Sequence, residues 1–245
     1  MHPSKEKKSI WTKLDPFTYV DELIMPRVNP WNNEILSWII YIIFSFIFAF
    51  ALYTLFGFIL QTASPLVIVV SGSMLPTMAR GDVVVLHGVQ GVDVYAPEVI
   101  LDGVDVENSS LKDLATITPS GLGDWDITFH ANGQTIHVSQ KGTSDIVVYY
   151  SSHKNLEIIH RAVVKIKSDG KYYVLTKGDN NPSLDQDCGE VSDIFFPADG
   201  IQTITDKSCP SPYPVSLSDV KGKALFWVPY VGYIKLLLVD SFPAS

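Results

Sequence analysis

Apolar side chains fill the chain from 35 to 60 almost without interruption, and no charged residue occurs between Glu34 and Arg80. Such a run has no polar face, which predicts a helix over 35–60 that is apolar all round. At 1.5 Å per residue it reaches roughly 39 Å, enough to cross a hydrocarbon layer about 30 Å thick with some tilt. Asn32 is placed to cap it, Glu34 suits its first turn, and Trp31 and Trp38 mark one interface. The run is too long for the apolar stretch of a cleaved signal peptide and for an ordinary buried core helix. Ahead of it, residues 1–34 form a polar tail with Pro3, Pro16, Pro26 and Pro30 and no sustained helical period.

After Gln61 the period changes to two. Short runs at 65–70, 82–86, 145–150, 158–166, 172–176 and 200–205 are rich in β-branched residues and bounded by turn residues, which predicts strands. Ser168-Asp169-Gly170 joins two of them as a hairpin. Residues 101–144 differ in kind, with Gly103, Gly121, Gly123, Gly133 and Gly142 and a weaker alternation over 127–138. They read as an inserted β-rich lobe. Residues 224–239 are apolar but broken by Pro229 and Gly232, and they carry Lys235. That is short for a second span, so an interfacial or core segment is expected. The expected fold is mainly β: a tail over 1–34, one transmembrane helix over 35–60, and a β-sheet domain over 61–245 containing the lobe 101–144.

Charge then orients and restricts this picture. Lys5, Lys7, Lys8, Lys13 and Arg27 precede the helix, whereas the first basic residue after it is Arg80. The asymmetry puts the N-terminus in the cytoplasm and the larger domain outside. Lys and Arg total 18 against 26 Asp and Glu in 245 residues, a net charge of −8, which argues against nucleic acid as a partner. The two cysteines, Cys188 and Cys209, both follow the helix. A disulfide closing a loop of ~20 residues, worth about 3 kcal/mol, and two separate thiols both fit the spacing. The six histidines show neither HExxH spacing nor pairing with cysteine, so neither a metal site nor a cofactor is expected.

Three segments carry candidate chemistry. In VVSGSMLPT, at 69–77, an apolar strand runs into Ser71-Gly72-Ser73 before Pro76 ends it. Gly72 permits a tight backbone that exposes a hydroxyl and aims N–H groups at one point. In IIHRAV, at 158–163, His160 lies inside an apolar strand. In LTKGDNNPSLDQD, at 175–187, a strand leaves into a loop carrying Asp179, Asp185 and Asp187. Each has an ordinary reading as a turn, a core histidine or a solvated loop. Together they supply a hydroxyl nucleophile, a base and an orienting carboxylate.

The set resembles the type I signal peptidases, membrane-bound serine proteases, in their archaeal and endoplasmic-reticulum branch. SGSMLPT resembles that family's nucleophile motif, Arg80-Gly81-Asp82 its next motif, HRAV its base strand, TKGDNN with Asp185 its acidic motif, and VPYVG at 228–232 its closing segment. The resemblance covers about 64–88 and 145–239; the lobe matches nothing in it. It implies Ser73 as nucleophile, His160 as general base and Asp185 as its orienting carboxylate, with Asp179 in support and Ser71 beside the oxyanion hole. It also implies a catalytic role for 61–245, signal peptides of secreted pre-proteins as substrates, cleavage after small residues, and membrane lipid and the protein-translocation channel as partners. A single-pass cell-membrane location is preferred to the endoplasmic reticulum. A free imidazole titrates near ~6.5 and accepts a proton at neutral pH, whereas a lysine base needs a shift of several units. Two rivals remain: a Ser–Lys protease using Lys154, Lys165 or Lys177, and a non-catalytic β-domain for adhesion or binding.

Overall fold

The computed structural model describes residues 14–89, 93–121, 124–139, 142–188, 194–196, 200–202 and 209–241. It separates into two compact units, one ending at Phe56 and one beginning at Gly57. The basic residues at 5–13 lie outside the described residues.

The helix Glu34–Ile59, which the first unit holds as far as Phe56, has no buried residue, and its sequence is long and apolar enough to cross a membrane. Its cap is one residue later than the sequence suggests. The Asn33 side chain accepts from the Leu36 N–H at 3.2 Å, while Asn32 takes a positive φ of 50° in the turn before it. The tail is also more helical than its prolines imply, with short turns at Pro16–Tyr19, Val20–Ile24 and Met25–Val28. Pro16 and Pro26 sit at the starts of two of these turns, where a missing N–H costs nothing. Phe17 packs edge-on against Phe44, and Asn29 donates to the Asn33 carbonyl and the Ser37 hydroxyl.

The second unit is mainly β. Its principal sheet runs β1 (Leu66–Ile68), β2 (Val83–His87), β13 (Val220–Val228), β7 (Ile146–Ser151), β8 (Leu156–Ser168), β9 (Lys171–Lys177) and β12 (Val215–Ser216). All neighbours along this path are antiparallel, and β3 (Glu98–Ile100) adds in parallel to β8. The Ser168–Lys171 hairpin forms with Asp169 and Gly170 both at positive φ, the geometry that suits a two-residue hairpin turn. β10 (Ile194–Phe196) pairs with β11 (Gly200–Gln202), and the rest of the strand expected over 200–205 lies outside the described residues.

The lobe is a three-stranded antiparallel sheet of β4 (Ala115–Pro119), β5 (Trp125–Phe129) and β6 (Thr135–Val138). It is not a separate body. Its Leu114, Ile127 and Phe129 share one core with Val164, Ile166, Leu175 and Leu184 of the main sheet and its loops. Each large apolar side chain buried there contributes about 1.5–3 kcal/mol. The apolar stretch at 224–239 divides into the end of β13 and a helix, Tyr233–Ser241, with Pro229 and Gly232 between them. Phe226, Tyr230, Ile234 and Leu237 along it are exposed.

Candidate active site

The loop between β1 and β2 begins as a continuation of the ladder. Val69 N–H donates to Asp82 O at 2.9 Å and Gly81 N–H donates to Val69 O at 2.8 Å. The chain between them is an excursion anchored by Met74 and Met78, both fully buried. The excursion closes on Asp82, whose carboxylate accepts from Ala79 N–H at 2.9 Å and from Tyr230 N–H at 3.2 Å. Gly232 N–H donates to Gly81 O at 2.8 Å, and Gly81 has a φ of +91°. A Cβ at Gly81 would stand 2.4 Å from the Tyr233 ring. Arg80-Gly81-Asp82 and VPYVG are therefore one structural staple beneath the serine loop.

Ser73 is held between two neighbours. Its Oγ lies 3.0 Å from His160 Nε2 and 3.1 Å from Ser71 Oγ. Its N–H is 3.5 Å from Ser71 Oγ, at the limit of a hydrogen bond. His160 is buried in β8, paired opposite Val147 of β7. Its Nδ1 meets Asp185 Oδ2 at 2.6 Å, and Asp185 is 1% exposed. Ser73, His160 and Asp185 thus come together from three separate segments.

Asp185 is fixed by the way its loop returns to β9. Its N–H donates to Thr176 O at 2.8 Å, and Thr176 N–H donates to the Gln186 side chain at 2.9 Å. Cys188 and Cys209 form a disulfide, and Ser211 N–H donates to Asp185 O at 3.2 Å, so the bridged segment backs the acid. Three donors converge on the one oxygen Oδ2. Besides His160 they are the Thr176 hydroxyl at 2.7 Å and the Tyr149 hydroxyl at 3.0 Å. Burial, and then the negative charge of Asp185, push the Tyr149 phenol well above its ordinary range, so it remains a donor. Oδ1 is buried and has no hydrogen-bond partner among the described residues.

Asp179 is in the same loop and does a different job. It holds the Arg161 guanidinium through two bonds, Nε–Oδ1 at 2.8 Å and Nη2–Oδ2 at 2.7 Å, and accepts from Thr77 Oγ1 at 2.5 Å. Arg161 also donates to Ser144 O at 2.6 Å. Asn180 N–H donates to Ser73 O at 2.8 Å. The support that Asp179 gives is therefore to the framework around His160, not to the imidazole. Sequence reasoning missed Tyr149 and Thr176. Thr176 stands in the TKGD segment itself, whereas nothing in the sequence distinguishes Tyr149 from any other strand tyrosine.

Two of the three candidate lysines have other partners. Lys165 pairs with Glu98 at 2.6 Å. Lys177 donates to Gly178 O at 3.0 Å and faces the Trp125 ring. Lys154 lines the groove that opens beside Ser73 and His160, a space of about 1070 Å³. Leu66, Ile68 and Val70 form one wall of that groove, and Leu156 and Ile158 another. Both walls have free strand edges. β1 ends the sheet, and the first residues of β8, 156–160, pair only with β7 among the described residues.

No family model matches the chain. It is similar to the signal peptidase complex catalytic subunit of Ogataea parapolymorpha, at 26% identity over 203 residues covering 79% of this chain and 78% of that protein. The corresponding subunit of Colletotrichum graminicola is 25% identical, covering 78% of this chain and 74% of its own. That of Clavispora lusitaniae is 24% identical, covering 84% of each. The chain is similar to these catalytic subunits over about four fifths of its length, which agrees with the branch of type I signal peptidase that its motifs resemble and supports a serine hydrolase of that type.

Proposed function

We propose that this chain is the catalytic subunit of a signal peptidase, a membrane-anchored endopeptidase that removes signal peptides from secreted pre-proteins. The observation that carries the reading is the unbroken path from Ser73 Oγ through His160 to Asp185 Oδ2 at 3.0 and 2.6 Å. His160 Nε2 takes the Ser73 proton as Oγ attacks the scissile carbonyl, and a C–O bond forms as the carbonyl π bond opens onto oxygen. Asp185 stabilises the imidazolium and keeps the proton on Nδ1. The Ser73 N–H and the Ser71 hydroxyl are the donors closest to where the oxyanion develops. Collapse breaks the C–N bond, and the amine leaves with the proton held by His160. Water, deprotonated by the same imidazole, then hydrolyses the ester.

The groove favours an extended substrate added to the free edges of β1 and β8, with alternate side chains facing its walls. Small residues before the cleaved bond fit a backbone drawn close to Ser73. The apolar helix Glu34–Ile59 supports a single span with the tail in the cytoplasm and residues 61–245 outside. Exposed Phe226, Tyr230 and Ile234 suit contact with the lipid surface from which the substrate emerges. The translocation channel is the partner that would deliver it. A lysine base is disfavoured because Lys165 and Lys177 are engaged elsewhere and, although Lys154 lines the groove, it is His160 that bonds Ser73.

The test is cleavage of a pre-protein by the full chain in detergent. Wild type should cut at the signal site and Ser73→Ala should not. Cleavage that survives Ser73→Ala in a protease-free preparation refutes the serine mechanism.

A further inference from the structure

The loop that carries Asp179, Asn180 and Asp185 leaves β9 at Lys177 and returns at Leu184, and the lobe reaches it at both ends. Leu184 is buried in the core that contains Leu114, Ile127 and Phe129 of the lobe. Lys177 is 4% exposed, and its ammonium stands 4.9 Å from the centroid of the Trp125 ring on β5. Among the described residues that ammonium, with three protons to donate, has one hydrogen-bond acceptor, Gly178 O. A buried cation with so few acceptors is costly unless another partner faces it, and an aromatic face is such a partner. Trp125, beside the more distant charges of Asp179 and Asp185, is therefore the direct contact that helps a lysine to be tolerated at the root of this loop.

The next residue ties that root to the serine. Gly178 has no room for a Cβ, which would stand 2.8 Å from Ser73 O. A shift of Lys177 thus moves Gly178 against the Ser73 carbonyl, and Asn180 N–H, bonded to the same carbonyl, moves with it. Catalysis requires the nucleophile and its partners to stay within a fraction of an ångström, so a small displacement here is felt in the chemical step. It is felt less in binding, because Asn181 is the one residue of this loop that lines the groove, whose apolar walls 66–70 and 156–158 belong to other segments.

We infer that the lobe 101–144 is a positioning device for the reaction, with Trp125 and Lys177 as positioning residues that set the Asp179–Asp185 loop against Ser73. The inference rests on the signal peptidase reading above. It assigns a role to a part of the chain that the family motifs leave without one.

The experiment measures kcat and KM for pre-protein cleavage by the full chain in detergent, with Ser73→Ala as the blank. Trp125→Leu is expected to lower kcat by about tenfold, the loss of a cation–π contact at a desolvated site, with KM within about twofold of wild type. Trp125→Phe, which keeps a ring face, should recover most of the rate. Lys177→Met fills a similar volume without the charge; it should match Trp125→Leu, and the double variant should fall no further than the lower single. Should Trp125→Leu fold poorly, Lys177→Met and Trp125→Phe carry the test. Wild-type kcat in Lys177→Met, losses that multiply in the double variant, or a defect confined to KM would each overturn the inference. If wild type cuts and Ser73→Ala does not, such a failure leaves the parent reading standing; if Ser73→Ala cuts, both fall together.

Discussion

Replacing Asp185 by asparagine isolates the charge of the acid from its geometry. The structure allows that separation because Oδ2 accepts from Thr176 Oγ1 at 2.7 Å and Tyr149 OH at 3.0 Å as well as from His160. The Gln186 amide donates to Thr176 Oγ1 at 3.3 Å, which leaves the threonine proton for Asp185. Two fixed donors hold an oxygen, not an NH2 group, at the position facing His160. The amide nitrogen then takes the place of Oδ1, which has no partner among the described residues. The imidazole keeps an acceptor at Nδ1 and keeps its tautomer, and only the negative charge is lost.

The cost follows from Coulomb's law. An imidazolium and a carboxylate with charge centres about 4 Å apart interact by about 4 kcal/mol at an effective dielectric constant near 20. That stabilisation is realised when His160 becomes charged, so its loss lowers kcat by about 10³. An asparagine free to flip would add the wrong tautomer and approach a loss of about 10⁴. The assay is single-turnover cleavage of a pre-protein at saturating enzyme, compared for wild type, Asp185→Asn and Asp185→Asn with Thr176→Val. The expected series is a fall of about 10³ and a further fall in the double variant, where one of the two fixing donors is gone. A loss below tenfold in Asp185→Asn would refute the reasoning, because the acid would then not stabilise the imidazolium.

Asp179→Ala should act on stability before chemistry. It strands the buried Arg161 guanidinium, a loss of about 3–5 kcal/mol measurable by denaturant unfolding, whereas Asp185→Asn, which buries an amide NH2 where Oδ1 stood, should cost less, about 1–3 kcal/mol. Replacing Cys188 and Cys209 together by serine opens a loop of sequence separation 21 and should cost about 3 kcal/mol, seen as a lower thermal midpoint under non-reducing conditions. Burial holds Lys177 below its usual value near 10.5, against the opposing charges of Asp179 and Asp185. Between the lowered value and 10.5 the unfolded chain binds more protons than the folded one, so stability gains from this group as pH rises through that window. Wild type should therefore gain stability on Lys177→Met as pH is raised from neutrality toward 10.5, and a constant difference would contradict it.

Much of the fold was legible because it rests on patterns with a physical period. The helix Glu34–Ile59 follows from a run without charge, and β2, β7, β8 and β9 lie within a few residues of their apolar alternations. The hairpin at Asp169-Gly170 follows from residues that tolerate positive φ. What the pattern lacked was local. Three short helical turns near Pro16 and Pro26 are held by contacts such as Phe17 with Phe44, which no window of the tail reveals. The lobe read correctly as β-rich, yet its merger with the main core depends on Leu184, Leu175 and Ile127 meeting across long sequence separations. The disulfide was undecidable for the same reason, since spacing fixes the loop size and not the distance between the two backbones.

The site shows the same division between residue type and placement. Ser73, His160, Asp179 and Asp185 are all visible as chemistry in the sequence, but two carboxylates in one loop are equivalent until the chain is folded. Their difference comes from register in β8. Successive strand residues point to opposite faces, so His160 and Arg161 present an imidazole and a guanidinium on opposite sides of one strand. The loop from β9 supplies a carboxylate to each: Asp185 at 2.6 Å from the imidazole and Asp179 at 2.7 Å from the guanidinium. On the proposed mechanism, a cation that cannot lose its proton takes the acid that fixes structure, and a group that must gain and lose one takes the acid that shapes the reaction. Exchanging the two strand residues, His160→Arg with Arg161→His, would keep every charge and destroy the arrangement. The same composition would then offer no base within reach of Ser73.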